Sequence, residues 1–268
     1  MAKCEKAEGA IAILDALGTS MRSEADVQKF IENRDHVLTL LVDKTEDVQL
    51  SGKVKQFTFG DTILLAMRCN ESSLMSQHCR QFILVLRKFL VDSLNRGLFL
   101  RGSLSIGFHY SDEKSNTVLG PAVDDAAGWY EQADWIGLHV TPLASMKIEE
   151  WREAEKGPKD HLVIDYDVPI KGESQRLKAV NWPKVLFVKE LAPSDARVRP
   201  RRYLLERLTV RDIPRGVESK YSNTMKFFDH VVKMQKLKPL PAIVQRLAPR
   251  KSTRSGIDET WYQPRDIG

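Results

Sequence analysis

Two aspartates raise the first chemical question. Asp15 closes the apolar run Ile11-Ala-Ile-Leu, and Asp61 follows Gly60 between two alternating apolar segments. Each carboxylate stands at the end of a segment that reads as a buried strand, where an uncompensated charge is costly. If the two strands are neighbours in one sheet, both carboxylates project at the same edge. Oxygens held that close repel each other unless a cation lies between them. Hard oxygen donors suit Mg²⁺ or Mn²⁺, and the pattern is that of a two-metal site for phosphoryl chemistry. A plainer reading stays open, in which Asp15 caps its loop and Asp61 belongs to an ordinary Gly-Asp turn.

Other chemistries find less footing. No Ser/His/Asp arrangement, no phosphate-binding Gly-x4-Gly-Lys-Ser/Thr and no dinucleotide Gly-x-Gly-x-x-Gly stands out. Among the six histidines none has metal-ligand spacing with another. His36 and His78 fall on helices among polar neighbours, while His109 and His139 flank strands and read as structural. Cys4, Cys69 and Cys79 are far apart and odd in number, as expected of free thiols in a reducing compartment.

The chain has 268 residues, 42% hydrophobic and 29% charged, which fits an ordinary globular protein with a sizeable core. The longest apolar runs fall far short of the roughly 20 residues a membrane-spanning helix needs. Met1-Ala-Lys-Cys-Glu-Lys carries charges where a signal peptide needs an apolar stretch. A cytoplasmic protein without membrane contact is therefore expected. The net charge is +5, but residues Lys236 to Gly268 hold seven basic and three acidic side chains, leaving about +1 for the rest. A nearly neutral body makes nucleic acid an unlikely partner, although the basic tail keeps that class of function open.

These aspartates need elements to hold them. Residues 11–15 read as a buried strand entering a tight loop, and Ser23-Glu-Ala-Asp26 opens a helix reaching about Val42. Val54–Phe59 and Thr62–Met67 alternate on either side of Gly60-Asp61, which predicts a hairpin. A long helix follows to about Asn95, then a strand from Phe99 to Phe108 carrying Arg101. A helix over 123–134, a short strand over 137–140 and a helix opened by Thr141-Pro142 come next. The fold class is α+β, a mixed and largely antiparallel sheet with helices packed on one face, plus a C-terminal extension. Residues 161–165 and 185–188 read as further strands, a helix is expected from about Ser194 or Arg202 to Leu208, and another near 221–234. Three units are expected: a catalytic domain over 1–156, an extension over 157–235 packed on it, and a basic, partly flexible tail over 236–268.

Four motifs in order resemble the class III nucleotide cyclases. Ile11-Ala-Ile-Leu-Asp15-Ala-Leu-Gly18-Thr19 is similar to that family's first metal-binding strand, and Lys55-Gln-Phe-Thr-Phe-Gly60-Asp61 to its second. Arg101-Gly-Ser-Leu-Ser-Ile-Gly107 resembles the next core strand. Thr117-Val-Leu-Gly120-Pro-Ala-Val-Asp124 resembles the glycine-led turn into the following helix. The departures are specific. Phe57 stands where purine cyclases carry a base-reading lysine or glutamate, and Thr117 where an aspartate or cysteine is usual. Asp124 and Gly128 replace the asparagine and arginine that serve the transition state. This set is similar to the bacterial Pycsar pyrimidine cyclases, which make cyclic UMP or cyclic CMP in anti-phage defence.

The resemblance implies a lyase that converts UTP to cyclic UMP and pyrophosphate, with UTP slightly preferred over CTP. It implies two Mn²⁺ or Mg²⁺ ions held by Asp15, Asp61 and the Ala16 carbonyl, and N–H groups of Leu17, Gly18 and Thr19 around the phosphates. Arg101 replaces the missing arginine or grips the nucleotide; the alternative is that it only pairs with a nearby carboxylate. Phe57 and Thr117 face the base, with core as the alternative reading of Phe57. A homodimer with interfacial sites is also implied. Three rivals stay open: a cytidylate or purine cyclase, an inactive nucleotide-binding relative, and a nucleic-acid binder working through the tail.

Overall fold

A computed structural model describes residues 5–17, 23–112, 114–155, 161–210 and 216–240. Its elements run β1 (Glu5–Ala16), α1 (Glu24–Asp47), β2 (Val54–Phe59), β3 (Thr62–Cys69), α2 (Met75–Asn95), β4 (Leu100–Asp112) and β5 (Thr117–Leu119). There follow α3 (Pro121–Trp129), β6 (Gly137–Val140), α4 (Pro142–Glu155), β7 (Val163–Ile170), β8 (Glu173–Val180), α5 (Pro200–Thr209) and α6 (Glu218–Gln235). The strands form one sheet in the order β2-β3-β1-β4-β6-β8-β7, with β5 beside β4. Every pairing is antiparallel except that of β4 with β6. The sheet is mixed and largely antiparallel, as the sequence pattern predicts.

Alternation along β1 explains how the layers stack. Ala10, Ala12, Leu14 and Ala16 join the main core with Leu86 and Leu90 of α2 and Val37 and Leu41 of α1. Their neighbours Ile11 and Ile13 point the other way, into a smaller core with Phe57, Leu64, Ala66, Ala122 and Ala126. Helix α3 therefore lies across the face opposite α1 and α2. The expectation of helices on one face is corrected here: the apolar residues of β1 alternate without a polar face, and a strand buried on both sides needs cover on both.

The β2–β3 hairpin forms as predicted. Gly60 takes φ +61° in its two-residue turn, a conformation that favours glycine. Gly102 answers a different demand, because a Cβ there would meet the Ile13 carbonyl oxygen at 2.0 Å. That close approach seats β4 against β1 immediately beside Arg101.

The second half departs more from expectation. The apolar run Val185–Val188 is not a strand. Pro183–Phe187 is a 3₁₀ turn with Pro183 in its first positions, and Val185 and Leu186 fill the core from it. Short apolar runs carry no period that separates the two states. The strand that does pair with β7 is β8, and β8 also pairs with β6 through His139↔Ala179, so the extension continues the same sheet. The strand that begins near 161 runs on as β7 to Ile170, and α5 and α6 lie where helices are expected. The tail from 241 onward, with most of its basic residues, lies outside the described residues.

Candidate functional site

The end of β1 gathers the predicted chemistry. Asp15 is opposite Thr62 on β3 and opposite Arg101 on β4, so β1 is flanked by both contributing strands at that point. Asp61 sits in the hairpin turn next to Thr62, and its carbonyl accepts the Ala16 N–H at 3.2 Å. One backbone hydrogen bond thus fixes the hairpin tip beside the residue that follows Asp15. The side chains of Asp15 and Arg101 are 15% and 14% exposed. Both face the α3 side, in step with Ile13 on β1 and Ser103 on β4.

Arg101 does pair with a carboxylate. Its Nε and Nη2 donate to the same oxygen, Asp15 Oδ2, at 3.1 and 3.0 Å. Its Nη1 donates to the Glu131 carbonyl at 3.0 Å. Burial raises the Asp15 pKa above the ordinary value; Arg101 opposes that shift, and the negative charges of Asp61 and Glu131 add to it. The charges of Asp61 and Glu131 thus both bear on Asp15, whose carboxylate the Arg101 guanidinium holds. Tyr130 completes the cluster by donating its hydroxyl to Glu131 Oε1 at 2.8 Å; burial first, then Glu131, push its pKa up to about 12.

The other predicted residues fall in different places. Phe57 is 1% exposed and packs in the smaller core. Thr117 pairs with Asp112 at the far end of β4 from Arg101, roughly 35 Å of extended strand away. There its hydroxyl donates to the Ser115 carbonyl at 3.1 Å. Leu17 donates its N–H to the Phe99 carbonyl at 2.7 Å, so that N–H is already committed. Gly18 and Thr19 lie outside the described residues. One chain thus brings together Asp15, Ala16, Asp61 and Arg101, and holds Thr117 apart from them.

Glu131 joins the site, where its sequence position gave it no role. It follows α3 in sequence, and only the return of α3 over the sheet brings it back to Arg101. Asp125 secures that return. Its Oδ2 accepts from Ser105 Oγ of β4 and from Thr141 Oγ1, both at 2.6 Å, while Ser103 Oγ donates to the Ala126 carbonyl at 2.6 Å. The alternating serines of β4 are the sequence signal that a polar partner must cover this face.

The donor set fits a hard divalent cation: two carboxylates on one edge, with a backbone carbonyl between them in sequence. Among the described residues no group of three or more His, Cys, Asp and Glu side chains converges as a metal cluster. Cys69 and Cys79 are free and buried. His78 is buried rather than solvated, standing between Lys53 Nζ at 3.0 Å and Cys69 Sγ at 3.1 Å. His109 and His139 are fully buried, and burial pushes the pKa of each down to about 4. Among the described residues no helix is long and apolar enough to cross a membrane.

No family model matches the chain. No curated protein matches it either. Solved structures do. The adenylyl cyclase CyaB from P. aeruginosa aligns over 66% of this chain and 95% of its own, with 11% identity and a TM-score of 0.41. A bacterial light-regulated adenylyl cyclase aligns over 67% of this chain and 53% of its own, with 14% identity and a TM-score of 0.42. The guanylyl cyclase Cya2 aligns over 66% and 92%, with 17% identity and a TM-score of 0.36. All three TM-scores lie below 0.5.

Proposed function

We propose that the protein is a metal-dependent nucleotidyl cyclase that converts UTP to cyclic UMP and pyrophosphate. The observation that carries this reading is the meeting of Asp15 and Asp61 at one edge of the sheet. Asp61 is close enough for its charge to raise the Asp15 pKa. Two carboxylates arranged so are stable together when a cation offsets their repulsion. Asp15, Asp61 and the Ala16 carbonyl would hold two Mn²⁺ or Mg²⁺ ions. Bound there, the ions supply a lowered pKa for the ribose 3′-hydroxyl and neutralisation of the triphosphate.

The chain's own residues do the positioning. Arg101, at the same edge, has a guanidinium suited to the phosphoryl oxygens that gain charge as the reaction proceeds. The 3′-oxygen forms its bond to the α-phosphorus while the α–β bridging oxygen departs with pyrophosphate. The hydroxyl proton passes to solvent at the open edge. No dedicated protein base is needed beyond the carboxylates.

Base recognition is proposed at an interface between two copies of the chain. Thr117 lies too far along β4 to reach a nucleotide bound at Asp15 of the same chain, so a second copy has to supply it. Phe57 is covered in the single chain, and a role at the base requires the interface to uncover its ring. UTP over CTP is a slight preference, resting on the lack of an obvious acceptor for the cytosine amino group near Phe57. A role in anti-phage signalling in the cytoplasm goes with the Pycsar resemblance.

One observation favours a second reading. Arg101 already occupies Asp15, and α3 carries Asp124 and Gly128 where an asparagine and an arginine are usual. A chain so arranged could bind nucleotide without turning it over. Incubation with each of the four nucleoside triphosphates and Mn²⁺, with products identified by mass, separates the two. Cyclic UMP that disappears in Asp61→Ala supports the cyclase. Thermal stabilisation by an unconsumed nucleotide supports the binder.

A further inference from the structure

The geometry points to an exchange in which Arg101 serves as the resident counter-cation of Asp15 and passes to the Glu131 carboxylate when a divalent ion arrives. The inference rests on the reading of Asp15 and Asp61 as a cation site, and it adds Glu131 as a positioning residue for that site.

Three features of the contact support it. First, Nε and Nη2 converge on one oxygen, Asp15 Oδ2, in place of the parallel two-oxygen fork that gives the strongest arginine–carboxylate pairing. A divalent ion binds a carboxylate oxygen at about 2.0–2.2 Å, and a guanidinium cannot keep both of its hydrogen bonds to that oxygen beside such a charge. Second, Nη1 is tied to the Glu131 backbone carbonyl at 3.0 Å. That tether holds the guanidinium next to Glu131 when it leaves Asp15, so the move is a short swing and not a release into solvent.

Third, the destination is prepared. The Glu131 charge already bears on Asp15, and its Oε1 is steadied by the Tyr130 hydroxyl at 2.8 Å. Asp125, Ser105 and Thr141 fix the helix that delivers both residues. Asp15 therefore has a cationic partner with or without metal, and the displaced arginine has a carboxylate waiting.

Binding of Mn²⁺ alone to the full chain, read by the electron paramagnetic resonance of free Mn²⁺, tests the exchange. Wild type, Arg101→Met, Glu131→Gln and the double variant form a cycle. Removing the arginine should tighten Mn²⁺ binding about tenfold, and Glu131→Gln alone should weaken it about fivefold, an effect above the additivity error of distant sites. In the Arg101→Met background, Glu131→Gln should shift Mn²⁺ affinity by less than about twofold, because no arginine is left to receive.

Equal effects of Glu131→Gln in both backgrounds overturn the exchange and leave the cation site standing. So does Mn²⁺ binding that fails to tighten without the arginine. Wild-type chain with no saturable Mn²⁺ binding, or binding indifferent to Asp15→Asn, overturns the cation site and the exchange with it. Arg101→Gln, which keeps a polar side chain at the half-buried position, repeats the cycle if Arg101→Met does not fold.

Discussion

The Ala16 N–H donates to the Asp61 carbonyl at 3.2 Å, and that bond holds the Asp61 turn beside the residue after Asp15, although the two aspartates are 46 residues apart in sequence. It is made by backbone, so it survives any change to the Asp61 side chain. Asp61→Asn should therefore keep the hairpin in place while removing the charge that faces Asp15. Stability is expected to change by under about 1 kcal/mol for such a partly exposed turn position. Cyclase activity should fall by at least about a thousandfold if the charge holds metal. Paired urea denaturation and turnover assays check the split; loss of activity with matching loss of fold contradicts it.

Phe57 is the residue for which core and base contact compete most directly. A 1% exposed ring packed with Ile11, Ile13 and Leu64 predicts a core penalty. Phe57→Ala should cost about 3–5 kcal/mol and Phe57→Leu about 1–2 kcal/mol. In the leucine variant, assayed below its melting range, KM for UTP separates the two: a ring confined to the core leaves KM within about threefold, because a core contact adds no differential binding. A much larger KM change at nearly unchanged stability places the ring at the base.

Asp125 ties α3 to β4 and to the start of α4 through a single oxygen. Asp125→Ala strands the hydroxyls of Ser105 and Thr141 in a buried setting and should cost about 1.5–3 kcal/mol. Chemical denaturation gives the cost. Limited proteolysis within 121–135 should become faster, because α3 loses its anchor to the sheet. Unchanged protection there contradicts the anchoring role.

The hairpin and its aspartate were legible because Gly60-Asp61 divides two alternating segments, and only a two-residue turn fits between them. Helix α2 was legible from its apolar period. The cover of the second sheet face was harder to see, since Ala122 and Ala126 are too small to mark an apolar stripe. Strand β8 escaped notice because Ser174, Arg176 and the buried Lys178 interrupt its apolar residues, and its first half is exposed. Arg101 could be placed on the correct strand and edge, yet its second partner, the Glu131 carbonyl, could not. That residue returns to the site only through the path of α3. Sequence carries local turns and periods well; it carries the meeting of distant polar groups poorly, because no local pattern encodes it.

Acid should weaken the fold in a definite window. His109 and His139 titrate near 4 in the folded chain against about 6.5 when unfolded, because burial disfavours the charged ring. The unfolded chain then binds more protons between those values, so stability is complete above about pH 6.5 and declines as pH falls toward 4. The decline should approach about 3 kcal/mol for each histidine. His139→Gln removes one of these titrations and should flatten the profile, as measured by urea midpoints from pH 7.5 to 4.5. A profile unchanged by that substitution contradicts the assignment.

The account turns on Asp15 and Asp61 driving an intramolecular attack on the α-phosphorus. The most direct measurement is phosphorus NMR of UTP incubated with the protein and Mg²⁺. The account predicts that the three triphosphate signals decline while pyrophosphate and a cyclic phosphodiester rise in equal amounts, and that Asp61→Asn abolishes the change. UDP with orthophosphate, or spectra unaltered by active folded protein under any divalent ion, would contradict it.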